Sequence, residues 1–368
     1  MTDKLPWLAL RSIPGVGLVL FQRLKDRFGN PAAVFKALRG ELRSVKGVSP
    51  AIAQALVAFR DWDQVEVQLA RLKALGAEML TQEEAGYPAG LKEIPYPPPF
   101  LFVWGTLKPE DDLAVALVGT RTPSYYGLKA CRRLAGNLAA QGITVVSGLA
   151  RGIDTAAHEG ALEAGGRTLA VLGCGLDVVY PPENRGLYQK IPGQGALISE
   201  FPLGTPPEAR NFPIRNRLIS GLSLGVVVVE AGFKSGTAIT VQYALDQGRE
   251  VMAVPGPVDS PSSVGPHRLI QQGGKLVWQV EDILSELPGF ARGGSLGGPA
   301  GRLAETPSPI PRPVADNLLS FLGAEPIQLD ELVQVSGLPP AEVLSRLTIL
   351  ELQGLVRELP GKCYVLES

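Results

Sequence analysis

The run Leu113-Ala114-Val115-Ala116-Leu117-Val118 ends in Gly119-Thr120-Arg121. Six consecutive apolar residues with no alternation are what a strand buried on both faces of a parallel sheet requires. Five more short apolar runs follow: Ile143–Ser147, Thr168–Leu172, Ala196–Glu200, Val226–Glu230 and Glu250–Val254. Stretches of helical period separate them, the βαβ alternation of a parallel sheet. Gly119, Gly148, Gly173, Gly175, Gly232 and Gly236 stand just after strands. In an open α/β sheet these are the carboxyl-end turns, where ligands bind. The pattern predicts an α/β fold with a Rossmann-like doubly wound sheet, within a domain spanning residues 86–287.

Upstream, residues 1–85 carry helical periodicity. Ile13-Pro14-Gly15-Val16-Gly17 precedes an amphipathic run from Leu18 to Phe28, and Val45-Lys46-Gly47-Val48-Ser49-Pro50 precedes another from Ala51 to Phe59. A third helix is expected from about Trp62 to Leu75. The two Gly-Val turns suggest an internal repeat of helix–hairpin–helix (or SAM-like) type, which points backbone N–H groups toward a phosphate; Ser49 replaces the second glycine. A helical bundle that only packs is the alternative. Residues 86–110, rich in proline and aromatics, read as an ordered connection into the central domain.

Downstream, residues 288–313 contain Pro-Gly, Gly-Gly and Pro-x-Pro runs and read as a flexible linker. Residues 314–368 show helical patterns at Val314–Leu322, Leu329–Ser336 and Ala341–Gln353, then strands at Leu355–Glu358 and Cys363–Leu366. Three helices and a hairpin predict a winged helix. Its third helix has only Arg346 as a cation beside Glu342 and Glu351, so a protein-binding or regulatory role suits it better than DNA reading.

The 368 residues have a net charge of −1, so no global field advertises a polyanion partner. The charge is uneven: residues 1–85 carry +3 and residues 314–368 carry −5. Three scattered cysteines exclude a disulfide framework and argue for a reducing cytoplasm. With no Cys-x-x-Cys and only two histidines, a zinc or other metal site is not expected. Met1–Leu10 lacks a secretory apolar core, and no run is long enough for a membrane span.

Four segments can carry function. Gly119-Thr120-Arg121 and Ser147-Gly148 follow strands, and each supplies small residues and amides that can cradle a phosphate. Lys234-Ser235-Gly236-Thr237 makes a third turn of this kind. None is a G-x-G-x-x-G or P-loop motif, so no cofactor is called for. The fourth is Arg210-Asn211-Phe212-Pro213-Ile214-Arg215-Asn216-Arg217, where cations surround a ring. Charge for phosphates and a flat apolar face for bases are the needs of single-strand binding. On a helical wheel Ile214, Leu218, Ile219 and Leu222 share the packing face. Arg215 falls within that arc, while Asn216 and Arg217 face outward. Arg215 therefore either enters the crevice or pairs with Asp154, Asp177 or Glu200. Asp154 and His158, four apart, could form a catalytic pair, but a helix-start carboxylate and a packed histidine account for them as well. Cys174 lacks an activating histidine and reads as a small buried residue.

Taken in order, Val118-Gly119-Thr120-Arg121, Ser147-Gly148-Leu149-Ala150-Arg151-Gly152-Ile153-Asp154, Gly173-Cys174-Gly175-Leu176-Asp177 with Tyr180-Pro181 and Asn184, Asn211-Phe212-Pro213-Ile214-Arg215-Asn216-Arg217, and Glu230-Ala231 with Ser235-Gly236-Thr237 and Val254-Pro255-Gly256 resemble the DprA (Smf) family of DNA-processing proteins. The resemblance implies a non-enzymatic, cytoplasmic single-stranded DNA-binding protein of natural transformation. It would protect incoming strands, help load a RecA-type recombinase and work as a homodimer through its Rossmann domain. It matches Arg121 to the family's pocket arginine, and Arg210 and Phe212 to its strand-contacting cation and ring. The competing class is a nucleotide hydrolase akin to the phosphoribohydrolases, whose Gly-Gly-x-Gly-Thr-x-Glu-Glu turn carries two glutamates. Here those positions are Ile239 and Thr240, which leaves no evident general acid or base.

Overall fold

A strand made of Ala114-Val115-Ala116-Leu117-Val118 has no polar side chain to give to water, and it lies in the interior of a nine-stranded sheet with all five residues buried. The structure, a computed structural model, describes residues 4–233, 235–288, 317–323, 325–352 and 355–366. It divides into two compact units.

In the larger unit the sheet strands are β1 (Ala77–Thr81), β2 (Phe100–Gly105), β3 (Ala114–Val118), β4 (Thr144–Ser147), β5 (Thr168–Val171), β6 (Gly195–Ser199), β7 (Gly225–Val228), β8 (Glu250–Ala253) and β9 (Lys275–Leu276). Their spatial order is β1-β2-β6-β5-β4-β3-β7-β8-β9. From β6 to β9 every pairing is parallel; β2 pairs antiparallel with both β1 and β6. The chain winds outward from β3 in both directions, which makes the β3–β7 junction the topological switch point. All six expected strands are present within one or two residues at each end.

Three strands were not foreseen. β1 falls inside the segment expected to be helical, and β2 inside the expected connection 86–110. A boundary at 85/86 thus runs between two hydrogen-bonded neighbours of one sheet. Edge strands β1 and β9 owe their form to a partner rather than to their own pattern, and the prolines flanking β2 mask an otherwise clear apolar run, Phe100-Leu101-Phe102-Val103.

The front consists of α1 (Leu5–Ser12), α2 (Leu18–Phe28), α3 (Pro31–Val34), α4 (Arg39–Ser44), α5 (Pro50–Val57) and α6 (Trp62–Ala74). Ser49 caps α5, its hydroxyl accepting the Ile52 N–H at 3.2 Å, so the serine that replaces a glycine gains a structural use. Leu10, Phe21, Leu24, Leu42 and Leu56 are fully buried and belong to the same apolar cluster as Met79, Phe102 and Leu197 of the sheet. The helical front and the β1–β2–β6 side of the sheet therefore share one core.

In the smaller unit a 3-10 turn (Asn317–Phe321) and helices Leu329–Ser336 and Pro340–Leu352 pack on a three-stranded sheet. Its order is β10 (Ile327–Gln328), β12 (Cys363–Leu366), β11 (Val356–Leu359), a winged helix with one strand more than expected. Residues 289–316, which hold most of the expected linker and the start of the first expected helix, lie outside the described residues.

Candidate nucleic-acid interface

The switch point is held shut at its base by the chain itself. The Thr120 N–H donates to the Glu230 carbonyl at 2.8 Å, joining the turn after β3 to the turn after β7. The Ile153 N–H donates to Thr120 O at 3.2 Å and brings in the helix Ile153–Glu163. Above this seam lies a cavity of about 570 Å³, lined by Gly119, Thr120, Arg121, Asp154, Tyr180, Phe212, Arg215, Asn216, Ser235, Gly236 and Thr237 among others. Five separate stretches of sequence thus converge on one crevice.

Phe212 opens the helix Asn211–Gly221 and is half-buried. Its ring lies on the Gly173 backbone: a Cβ added there would fall 2.9 Å from Phe212 Cδ1. Tyr180 packs beside it with centroids 5.5 Å apart and planes tilted by 42°. The Arg121 guanidinium sits 5.3 Å from the ring centroid and that of Arg215 5.8 Å from it. Arg121 is exposed and makes no ion pair with a described residue, so its charge is available to an incoming anion.

Arg215 differs in kind. It is 3% exposed, and its Nη1 donates to Gly148 O at 2.6 Å and also to Val171 O. Its Nε donates to Asn216 Oδ1 at 3.2 Å. Burial pulls the guanidinium down to about 10, opposed by the nearby Asp154 carboxylate, so it is charged at neutral pH. Asp154 is held above the usual carboxylate range by burial, and its Oδ2 accepts the Gly148 and Ala150 N–H groups at 3.1 and 3.3 Å. Arg215 therefore joins the ends of β4 and β5 to the helix that carries Phe212. Of its three candidate partners, Asp154 is the electrostatic one. Asp177 pairs with Arg71 at 3.0 Å, and Glu200 belongs to Arg217.

Two expectations about this helix are corrected. Arg217 does not face outward: it is 6% exposed and forms an ion pair with Glu200 at the end of β6. Burial pushes the Glu200 carboxyl up, while Arg217 and Arg11 pull it down. Ile214, expected on the packing face, is 42% exposed. The reason is that the helix packs along Leu218, Ile219 and Leu222 on one side and is flanked by the helix Thr237–Asp246, whose cap residue Gln247 donates to Arg217 O at 3.0 Å. A wheel built for a single buried face misplaces residues on a helix covered on two sides.

The other expected residues divide likewise. Arg210 is exposed, follows the lining residue Ala209 and pairs with Glu208 at 2.5 Å. Asn211 is buried and donates from Nδ2 to Pro206 O at 3.2 Å. Ser235 Oγ donates to Thr237 Oγ1 at 2.9 Å at the start of its helix, on the cavity wall. Ser147 is interior, its hydroxyl donating to Leu117 O at 2.7 Å, and Gly148 provides the peptide that Arg215 grips. Lys234 lies outside the described residues. Tyr180 was missed as a site residue; its aromatic–proline pair with Pro181 was the available signal. His158 is fully buried, Nδ1 bonded to Thr168 Oγ1 at 2.7 Å, and burial pulls it down to about 3; it is a packed neutral histidine, with no bond to Asp154. Burial pushes the Cys174 thiol up to about 11, the opposite of an activated nucleophile. Among the described residues no cluster of His, Cys, Asp and Glu could hold a metal, and no helix is long and apolar enough to cross a membrane.

Comparison with known proteins agrees with this frame. Residues 78–288 match the family model for DNA recombination-mediator protein A, and residues 302–362 match the DprA winged helix domain. Protein Smf of Synechocystis is 35% identical over 99% of this chain and 98% of its own length. Protein Smf of Escherichia coli is 38% identical over 98% and 95% respectively. The X-ray structure of DNA processing protein A from Streptococcus pneumoniae superposes with a TM-score of 0.70 at 34% identity, covering 78% of this chain and 99% of that one. That of Helicobacter pylori DNA processing protein A, which concerns that protein's single-stranded DNA binding mode, does so with a TM-score of 0.51 at 30% identity, covering 56% and 93%. With the switch-point crevice, the winged helix and this full-length likeness together, the chain belongs to the DprA/Smf family.

Proposed function

We propose that the crevice binds single-stranded DNA, with Arg121 neutralising a phosphate and Phe212 offering a face to a base. The observation that carries this reading is the exposed Arg121, which has no ion pair with a described residue, beside an aromatic ring that is itself held from below. Cation and ring next to each other supply both needs of a single strand, and every base has a face to stack. Ser235, Gly236, Thr237 and Asn216 add donors along the same wall, and Arg210 adds charge by exchanging Glu208 for a phosphate.

The chain would act without catalysis. It would protect strands during transformation and help a RecA-type recombinase load onto them, a role that the recombination-mediator description of its family supports. We also propose that it works as a homodimer through its sheet domain, and in the cytoplasm, where its free cysteines would persist. The nucleotide-hydrolase reading is not favoured. Ile239 and Thr240 line the cavity where glutamates would be needed, and Asp154, the one acid among the described residues that line it, spends an oxygen on two backbone amides.

The test is a titration of the full chain with a single-stranded oligonucleotide at two salt concentrations, alongside incubation with nucleoside monophosphates. Salt-sensitive strand binding without hydrolysis supports the reading. Hydrolysis, or strand binding indifferent to salt, overturns it.

A further inference from the structure

The helical front repeats itself more closely than its two Gly-Val turns indicate. Leu10-Arg11-Ser12-Ile13-Pro14-Gly15-Val16-Gly17 and Leu42-Arg43-Ser44-Val45-Lys46-Gly47-Val48-Ser49 match at Leu, Arg, Ser, Gly and Val. The backbone repeats with them. Val16 N–H donates to Ile13 O at 3.0 Å and Val48 N–H to Val45 O at 3.1 Å. Ser12 Oγ donates to Ala9 O at 2.7 Å and Ser44 Oγ to Glu41 O at 2.6 Å. Gly15 and Gly47 take φ of +89° and +101°, which side chains rarely adopt.

The two copies face each other reciprocally. A Cβ on Gly15 would meet Ile52 of α5 at 3.0 Å, and one on Gly47 would meet Leu20 of α2 at 3.6 Å. Leu20 and Ile52 each stand five residues after their own glycine. Each turn therefore leans on the second helix of the other copy, as an approximate two-fold axis requires, with α3 as the connector.

Charge is concentrated on this unit. Residues 4–76 hold 12 Lys+Arg against 5 Asp+Glu, a net +7, although Lys4, Lys25 and Arg71 pair with Glu84, Glu83 and Asp177 outside the segment; the whole chain is at −1. Lys36, Arg39, Arg43 and Lys46 are exposed and make no ion pair with a described residue. Arg23 lies beside the second turn, its Nη1 donating to Lys46 O at 3.0 Å. Arg11, at the position matching Arg43, is exposed at the first turn. None of the exposed large apolar side chains of these residues is aromatic.

We propose that residues 4–76 form a second nucleic-acid surface, one that grips the phosphate backbones of duplex DNA with one Gly-Val turn toward each strand. The strands of a duplex are related by local two-fold axes, so a two-fold pair of basic turns presents the same contact to both. Contacts confined to phosphates carry no sequence preference. Phe28, Phe35 and Trp62 are half-buried, so the case for a duplex rests on the two-fold pair of turns rather than on an absence of rings. The surface is distinct from the switch-point crevice and does not depend on the reading given to it.

The test uses the full chain and fluorescence anisotropy on a blunt duplex and, separately, on a single strand. Arg39→Ala, Arg43→Ala and Lys46→Ala are combined; all three side chains are exposed, and an unchanged thermal midpoint confirms folding. The expected result is a loss of duplex affinity of about tenfold or more, with a salt slope shallower by about 0.9 for each phosphate contact removed. Single-strand affinity is unchanged. Arg121→Ala gives the opposite profile, so failure of the crevice reading and failure of this one are separately visible. Absence of duplex binding in the parent chain, an unchanged duplex affinity in the triple variant, or an equal fall for both ligands would overturn the proposal.

Discussion

Gly148 and Arg215 occupy space that only a glycine and an arginine can share: a Cβ on Gly148 would lie 2.5 Å from Arg215 Nη1 and 2.7 Å from its Cζ. The same Nη1 donates to the Gly148 carbonyl at 2.6 Å. The buried guanidinium thus runs flat against the peptide that ends β4, and the helix carrying Phe212 is set by that contact.

Gly148→Ala should lower stability by about 1–3 kcal/mol, because the neighbour it meets is fully buried and cannot swing aside. The urea midpoint would read the loss. Single-strand affinity should fall with it, since Phe212 follows Arg215. Parental stability in the Gly148→Ala variant would show that the guanidinium has another place to go.

Arg121→Ala and Phe212→Leu should weaken strand binding in different ways. Loss of the cation should reduce the salt slope by about 0.7, the increment for one single-strand phosphate. Loss of the ring should cost about 1–3 kcal/mol of affinity, and the slope should stay unchanged. Titrations at several salt concentrations separate the two; a shallower slope in the Phe212→Leu variant would mean that Phe212 acts through Arg121.

Arg217→Ala should destabilise the fold by about 3–5 kcal/mol, because it leaves Glu200 charged and buried. The double change Arg217→Ala with Glu200→Ala should be milder than either loss alone predicts. Once folding is allowed for, strand affinity should be that of the parent. Denaturant unfolding of the three variants closes the cycle, and an additive result would contradict a coupled pair.

Stability should fall as pH drops below about 6.5, in part through His158. Its Nδ1–H donates to Thr168 Oγ1, whose own proton goes to Val145 O at 2.8 Å, and its Nε2 is buried without a partner. With the folded value at about 3, the unfolded chain binds the extra proton across the window from 6.5 to 3. Stability is therefore full above 6.5 and declines through that window, by about 2 kcal/mol between pH 7 and pH 5 from this group. His158→Asn should flatten the pH dependence of the thermal midpoint over that range; an equally steep profile would assign the slope to other groups.

Much of this was readable along the chain. Strands such as Ala114–Val118 and Gly225–Val228 are continuous apolar runs, and burial on both faces leaves no other pattern open to them. Arg121 and Phe212 could be singled out because a cation after a strand and a ring at a helix start are local features. Arg217 could not be placed in this way. Its surroundings come from Glu200, 17 positions earlier, and from the helix Thr237–Asp246 packed alongside. Tyr180 escaped for a related reason: the adjoining Pro181 marks the position, but the contact with Phe212 is made only in the fold.

The sequence by itself determined the βαβ order, the glycine turns at strand ends, the tandem Leu-Arg-Ser turns of the front and the winged helix, because each follows from local pattern and backbone preference. Only the tertiary structure decided that β1 and β2 extend the sheet, that Arg215 is a strut while Arg121 is the exposed charge, and that Gly15 meets Ile52 as Gly47 meets Leu20. Those outcomes depend on which distant groups exclude water from one another, and no local pattern specifies that.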